Sequence, residues 1–166
     1  MCLAVLVVVT MKRITVLLAD DNRLVRSEFR KILELEDDFE VVGESKDGLL
    51  AVAMVKKLRP AMVLMDVAMP HLNGLQATRE ILTAVPATKV IMLSVHSEDA
   101  YIEEANNAGA MGYLIKHTAA DCVCLAIREV EQGNTYYSSS IPKRLYKRQR
   151  KTRQANGNTI AKPSDG

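Results

Sequence analysis

The sequence predicts an α/β fold, a doubly wound sheet of five parallel strands with helices on both faces. Three observations carry this. Short apolar runs alternate with segments of helical periodicity from Ile14 to Val130, the pattern of a parallel sheet crossed over by helices. The runs ITVLLA and AMVLM are continuous, as strands covered on both faces are. Polar residues able to do chemistry close four of the runs: Asp20 and Asp21, Asp66, Ser94 and Lys116.

Taken in order, residues 14–19 form the first strand. Asn22 to Leu35 follows as a helix, with Val25, Phe29, Ile32 and Leu33 at helical spacing. FEVVGES (39–45) is a less apolar strand and belongs nearer the sheet edge. Leu49 to Leu58 is a helix stopped by Arg59-Pro60, because the residue before a proline is steered away from helical geometry. AMVLM (61–65) is a strand that ends at Asp66, and Gly74 to Ala84 is helical until Pro86. KVIMLSV (89–95) is the fourth strand, and Ala100 to Ala108 is a helix closed by Gly109. MGYLIK (111–116) is the fifth strand. The last helix, Ala119 to Val130, repeats Val123, Ile127 and Val130 along one face and ends by Gly133.

In open α/β sheets the functional crevice lies beyond the carboxyl ends of the strands. The residues closing strands one, three, four and five therefore meet there. Three carboxylates in one crevice repel each other, and a divalent cation resolves the conflict. An all-oxygen ligand set suits Mg²⁺. Lys116 adds a positive charge and Ser94 a hydroxyl donor, so the group suits phosphoryl oxygens, with Asp66 as the nucleophile.

From about Met11 to Gly133 the chain resembles the receiver domain of bacterial two-component response regulators. The resemblance rests on LADDN (18–22), MDVAMPHLNG (65–74), IMLS (91–94) and GYLIK (112–116), each in the expected order. It implies a flavodoxin- or CheY-like fold and a phosphoryl group accepted by Asp66 from a partner sensor histidine kinase. It also implies Mg²⁺ held by Asp21, Asp66 and the backbone carbonyl of Ala68, with Asp20 assisting through water. Ser94 and Lys116 would contact the phosphoryl oxygens, and Tyr113 would swing inward with Ser94 on activation. Ala68 and His96 would flank the attacking water and tune phosphate lifetime. Apart from self-phosphorylation and autodephosphorylation, no enzyme activity is expected. A homodimer through the first and last helices would be family-like. Two features depart from the pattern: His117 follows the lysine where proline is frequent, and Val95 stands where a smaller residue is frequent.

Other function classes fit poorly. A phosphatase with an aspartyl nucleophile wants a second aspartate two residues on, where Ala68 stands, and a flavin phosphate would be repelled by Asp20 and Asp21. Scarce aromatics and no Trp disfavour base stacking on single-stranded nucleic acid. Cys2, Cys122 and Cys124 make no disulfide framework, so the expected compartment is the cytoplasm, with Cys122 and Cys124 as packing residues.

The expected organisation is an apolar extension at 1–10, a receiver at 11–137 and a basic or polar tail at 138–166. MCLAVLVVVT is shorter than the about 20 residues of a membrane span. It reads as the product of an upstream start codon, since Met11 opens what would serve as a complete N-terminus; an extra edge strand or an interaction segment is the alternative. Residues 143–166 hold eight Lys or Arg against Asp165 alone, while the body is mildly acidic. GNTYYSSSIPKRL resembles the end of NarL/FixJ (LuxR-type) receivers, which usually continue into a helix-turn-helix domain. No apolar periodicity for that domain follows, so DNA is expected to be met through an output domain absent from this chain, or weakly through the tail. The alternative is a stand-alone receiver that acts by protein contacts.

Overall fold

The computed structural model describes residues 11–147, so the readings of 1–10 and of 148–166 lie outside the described residues. The elements are β1 (Ile14–Ala19), α1 (Arg23–Glu34), β2 (Phe39–Ser45), α2 (Gly48–Leu58), β3 (Met62–Asp66), α3 (Gly74–Ala84), β4 (Lys89–Ser94), α4 (Asp99–Ala108), β5 (Gly112–Ile115), α5 (Lys116–Glu131) and β6 (Tyr136–Tyr137). All strand pairs are parallel, in the order β2-β1-β3-β4-β5-β6. The first five strands thus have the 2-1-3-4-5 arrangement of the CheY-like receiver fold.

Alternation along the strands sorts their side chains between two cores. Val16, Leu18, Met62, Leu64, Ile91, Leu93 and Leu114 pack with α1 and α5. Leu17, Ala19, Val63, Met65, Val90, Met92, Tyr113 and Ile115 pack with α2, α3 and α4. The central strands are buried on both sides, which is why their sequences run apolar without a break. Three helix starts are capped by side chains: Asn22 accepts from the Leu24 N–H, Asp47 from Leu50, and Asn73 from Gln76. Gly109 ends α4 at φ 102, a left-handed geometry suited to glycine.

Two differences from the sequence expectation stand out. The sheet has a sixth, two-residue strand, β6, on the edge of β5. The chain after it also packs on the domain through Ile141 and Leu145 up to Lys147, and does not leave as a solvated linker from 138. Two apolar side chains spaced four apart, joined by a short 3-10 helix at Lys143–Leu145, are enough to seat it.

Candidate functional site

Parallel strands bring their carboxyl ends to one edge, and the chemistry-bearing residues follow from that. Asp66 is the last residue of β3, Asp20 the first after β1, Ser94 the last of β4, and Lys116 the first after β5. Asp20 and Asp66 are 2% and 4% exposed, so their charges are withdrawn from water, whereas Asp21 lies open to it. Ligand oxygens of Asp20, Asp21 and Asp66 all lie within 4.8 Å of one another.

The Lys116 ammonium bridges the two buried carboxylates, 2.7 Å from Asp20 Oδ2 and 3.1 Å from Asp66 Oδ1. Asp66 Oδ1 also accepts the Ala68 N–H at 3.3 Å, and Asp20 Oδ1 accepts the Asn22 N–H at 2.8 Å. Asp20 Oδ2 is fully buried against the Lys116 ammonium. Burial, and then the charge of Asp20, push the Asp66 carboxyl from the ordinary 3.8 up to about 6, against the opposing pull of Lys116. For Lys116, burial works against the charge. The hydrogen bond to Asp20 and the charges of Asp66 and Asp20 outweigh it and hold the ammonium above the usual lysine range.

The loop after Asp66 is held by close backbone approach. A Cβ on Gly74 would lie 1.9 Å from the Asp66 carbonyl oxygen, and the Gly74 N–H donates to the Val67 carbonyl at 2.8 Å. Only glycine fits there. Arg26, itself held by Glu44, donates to the Asp20 carbonyl at 2.7 Å and fixes the other side.

Behind the crevice, Tyr113 is wholly buried and points inward. Its hydroxyl donates to the His96 carbonyl at 2.9 Å, and burial pushes its pKa up despite a hydrogen bond with Ser94. Ser94 is buried, and its Oγ accepts the His96 N–H at 3.0 Å. The His96 ring stacks on Tyr101 at 4.2 Å, with Nδ1 3.6 Å from Glu98. Val95 is 70% exposed. Ala68, His71 and His117 are exposed, and Cys122 and Cys124 pack partly buried between α5 and its neighbours.

Of the residues singled out in the sequence, Asp20, Asp21, Asp66 and Lys116 converge at the crevice, and Ser94 and Tyr113 lie buried beside one another behind it. The sequence reasoning missed the supporting residues Asn22, Arg26, Gly74 and Tyr101. Asn22 and Gly74 carried local signals, as a helix cap and a turn glycine. Arg26 and Tyr101 carried none, because their partners are distant in sequence or set by loop conformation.

The residues fit a hard divalent cation. The donor set of Asp20, Asp21 and Asp66 is oxygen only, and one carboxylate oxygen of each lies within 4.8 Å of the others. The family profile described as the response regulator receiver domain matches residues 16–128. The chain is similar to the transcriptional regulatory protein DegU of Brevibacillus brevis, 37% identical over 139 residues that cover 84% of this chain and 59% of DegU. It is similar to the response regulator UvrY of Escherichia coli, 42% identical over 132 residues, 80% of this chain and 61% of UvrY. The chain therefore spans about three fifths of the length of these two relatives. Among solved structures, a two-component response regulator of the LuxR family from Aurantimonas superposes with a TM-score of 0.75 at 28% identity, covering 78% of this chain and 93% of that one. Fold, acidic crevice and relatives agree: the chain belongs to the response regulator receiver family, and its relatives are regulators of the NarL/LuxR type.

Proposed function

We propose that Asp66 is the phosphoacceptor of this receiver and that a sensor histidine kinase is the donor. An Asp66 carboxylate oxygen attacks the phosphorus of a phosphohistidine. The P–N bond breaks, the imidazole of the donor takes the electron pair and then a proton, and an acyl phosphate remains on Asp66. The observation that carries this reading is the Lys116 ammonium set between Asp20 and Asp66, which places a fixed positive charge where phosphoryl oxygens would come to lie. Asp20, Asp21, Asp66 and the Ala68 carbonyl would hold Mg²⁺, which supplies charge neutralisation for the transferring group. Ser94 offers its hydroxyl to a phosphoryl oxygen, and Tyr113 fills the space behind it. Ala68 and His96 flank the route of the hydrolytic water, which returns Asp66 to its free state.

The receiver works in the cytoplasm, and its output is control of transcription through a DNA-binding domain outside this chain. The name of DegU, a transcriptional regulatory protein, supports that output. Among the described residues no helix is long and apolar enough to cross a membrane. The test is intact mass after incubation with a small phosphodonor, with and without Mg²⁺. One phosphoryl group gained only with Mg²⁺, and not by Asp66→Asn, is the expected result. An equal gain by the variant would remove Asp66 as acceptor.

A further inference from the structure

The two acidic residues that follow β1 are held in different ways. Asp20 is fixed by its own side chain: Oδ1 accepts the Asn22 N–H at 2.8 Å, and Oδ2 meets the Lys116 ammonium at 2.7 Å. Its N–H also donates to the Ser45 carbonyl of β2 at 3.0 Å. Asp21 has no such support. Its carboxylate is exposed, and among the described residues nothing hydrogen-bonds or ion-pairs it. Yet one of its oxygens lies within 4.8 Å of oxygens of Asp20 and Asp66. The direction of that side chain is therefore set by its backbone, and its backbone by the planar peptide it shares with Asp20.

The carbonyl of that peptide is the one that Arg26 holds. Arg26 Nη1, from the second turn of α1, donates to it at 2.7 Å, while Nε donates to Glu44 Oε2 at 3.1 Å. One planar guanidinium thus spans the Asp20–Asp21 peptide and β2. Glu44 is fixed in turn through its other oxygen, Oε1, by Arg30 Nε at 2.6 Å, and Arg30 pairs with Glu34 at 3.0 Å. The Arg30 hydrogen bond, and after it that of Arg26, hold the Glu44 carboxyl below its usual range against the opposing effect of burial. The anchor therefore stays charged at neutral pH. The Arg26 side chain is only 14% exposed, so little water competes for its donors.

We propose that Arg26 is a positioning residue for the divalent-cation site: by fixing the Asp20–Asp21 peptide it aims the otherwise unsupported Asp21 carboxylate, and Glu44 holds it in place. The inference rests on the acidic crevice taking Mg²⁺, as the phosphoacceptor reading has it, and adds a residue outside the acidic cluster that sets the affinity. Its sign is opposite to that of charge alone. A guanidinium beside the crevice repels a dication, so removing it would tighten binding if its field were all that mattered. A guanidinium that aims a ligand weakens binding when removed, and hydrogen-bonded supports of metal ligands are worth about 10–100-fold in affinity.

The experiment titrates Mg²⁺ into the 166-residue chain without phosphodonor, followed by the amide NMR shifts of residues 20–22 and 66–68, with urea unfolding of each protein run without metal. Arg26→Met keeps the length of the stem and loses every donor; it should bind Mg²⁺ about tenfold more weakly, or worse. Arg26→Lys keeps the charge and loses the fork that serves Asp20 and Glu44 together. It should also bind more weakly, and it carries the test if the methionine variant fails to fold. Arg30→Met breaks the contacts to Glu34 and to the far oxygen of Glu44 without touching Asp20, and should lose less than either Arg26 variant. A purely structural Arg26 would lower the urea midpoint and leave the Mg²⁺ affinity of the folded protein unchanged. Equal or tighter binding by a folded Arg26 variant would overturn the proposal, as would a loss of the same size in Arg30→Met; either result leaves the cation site standing. No Mg²⁺ binding by wild type would overturn the cation site and the proposal together.

Discussion

Replacing Asp66 with asparagine should stabilise the metal-free protein at neutral pH while abolishing phosphorylation. The carboxyl is pushed up to about 6 from the ordinary 3.8, burial first and the charge of Asp20 second. Between those values the folded state holds a proton that the unfolded state has released, so stability falls as pH rises through the window. A displacement of that size corresponds to about 3 kcal/mol. Asp66 is only 4% exposed, so solvent screening does not discount it greatly. Asp66→Asn never charges, and its stability lacks this fall. Urea unfolding in chelator should show wild type and variant alike below about pH 4, and a variant more stable by about 3 kcal/mol above about pH 7. That gap corresponds to a midpoint shift of about 1–2 M urea. Mg²⁺ should close much of it, because the cation binds the folded wild type and neutralises the same charge. A gap independent of pH, or a variant less stable than wild type at neutral pH, would refute the argument that burial and Asp20 set the state of this carboxyl.

Gly74→Ala should destabilise the fold by about 1–3 kcal/mol, seen as a lower midpoint, because its Cβ would lie 1.9 Å from the Asp66 carbonyl oxygen. Phosphorylation yield at saturating phosphodonor should fall with it, as Asp66 moves to make room; an unchanged yield in the folded variant would show the loop can yield freely. Lys116→Met removes the charge between Asp20 and Asp66, and the Asp66 carboxyl, read by NMR titration in chelator, should titrate higher than in wild type. His96→Ala should change the dephosphorylation rate more than the yield, measured as decay of the phosphorylated mass after the donor is removed; equal lifetimes would rule this out. Asn73→Ala removes the cap of α3 and should cost about 1 kcal/mol by urea unfolding, with no effect on Mg²⁺ dependence.

The sequence by itself determined the first five strands of the sheet and which residues close them at the crevice. Apolar runs long enough for a strand, each closed by Asp, Ser or Lys, specify both the layer and the end at which chemistry collects. The period-2 sorting of Val16, Leu17, Leu18 and Ala19 between two cores follows from the pleat. Helix stops at Pro60 and Gly109 were legible for the same local reason: they act on their own backbone. What the tertiary structure decided is everything that depends on meeting across the sheet. The raised Asp66 carboxyl needs burial and the nearness of Asp20, which lie 46 positions apart in the sequence. The inward Tyr113 needs a carbonyl at His96, set by the course of the loop after β4. The segment 136–147 reads in sequence as the start of a polar tail, because Tyr137, Ile141 and Leu145 show no repeat long enough to announce an element. It becomes part of the fold only where the free edge of β5 and Asn106 of α4 stand ready to bind it. Local patterns act within a few residues and can be read along the chain. Pairing between distant residues depends on the geometry that those patterns together create.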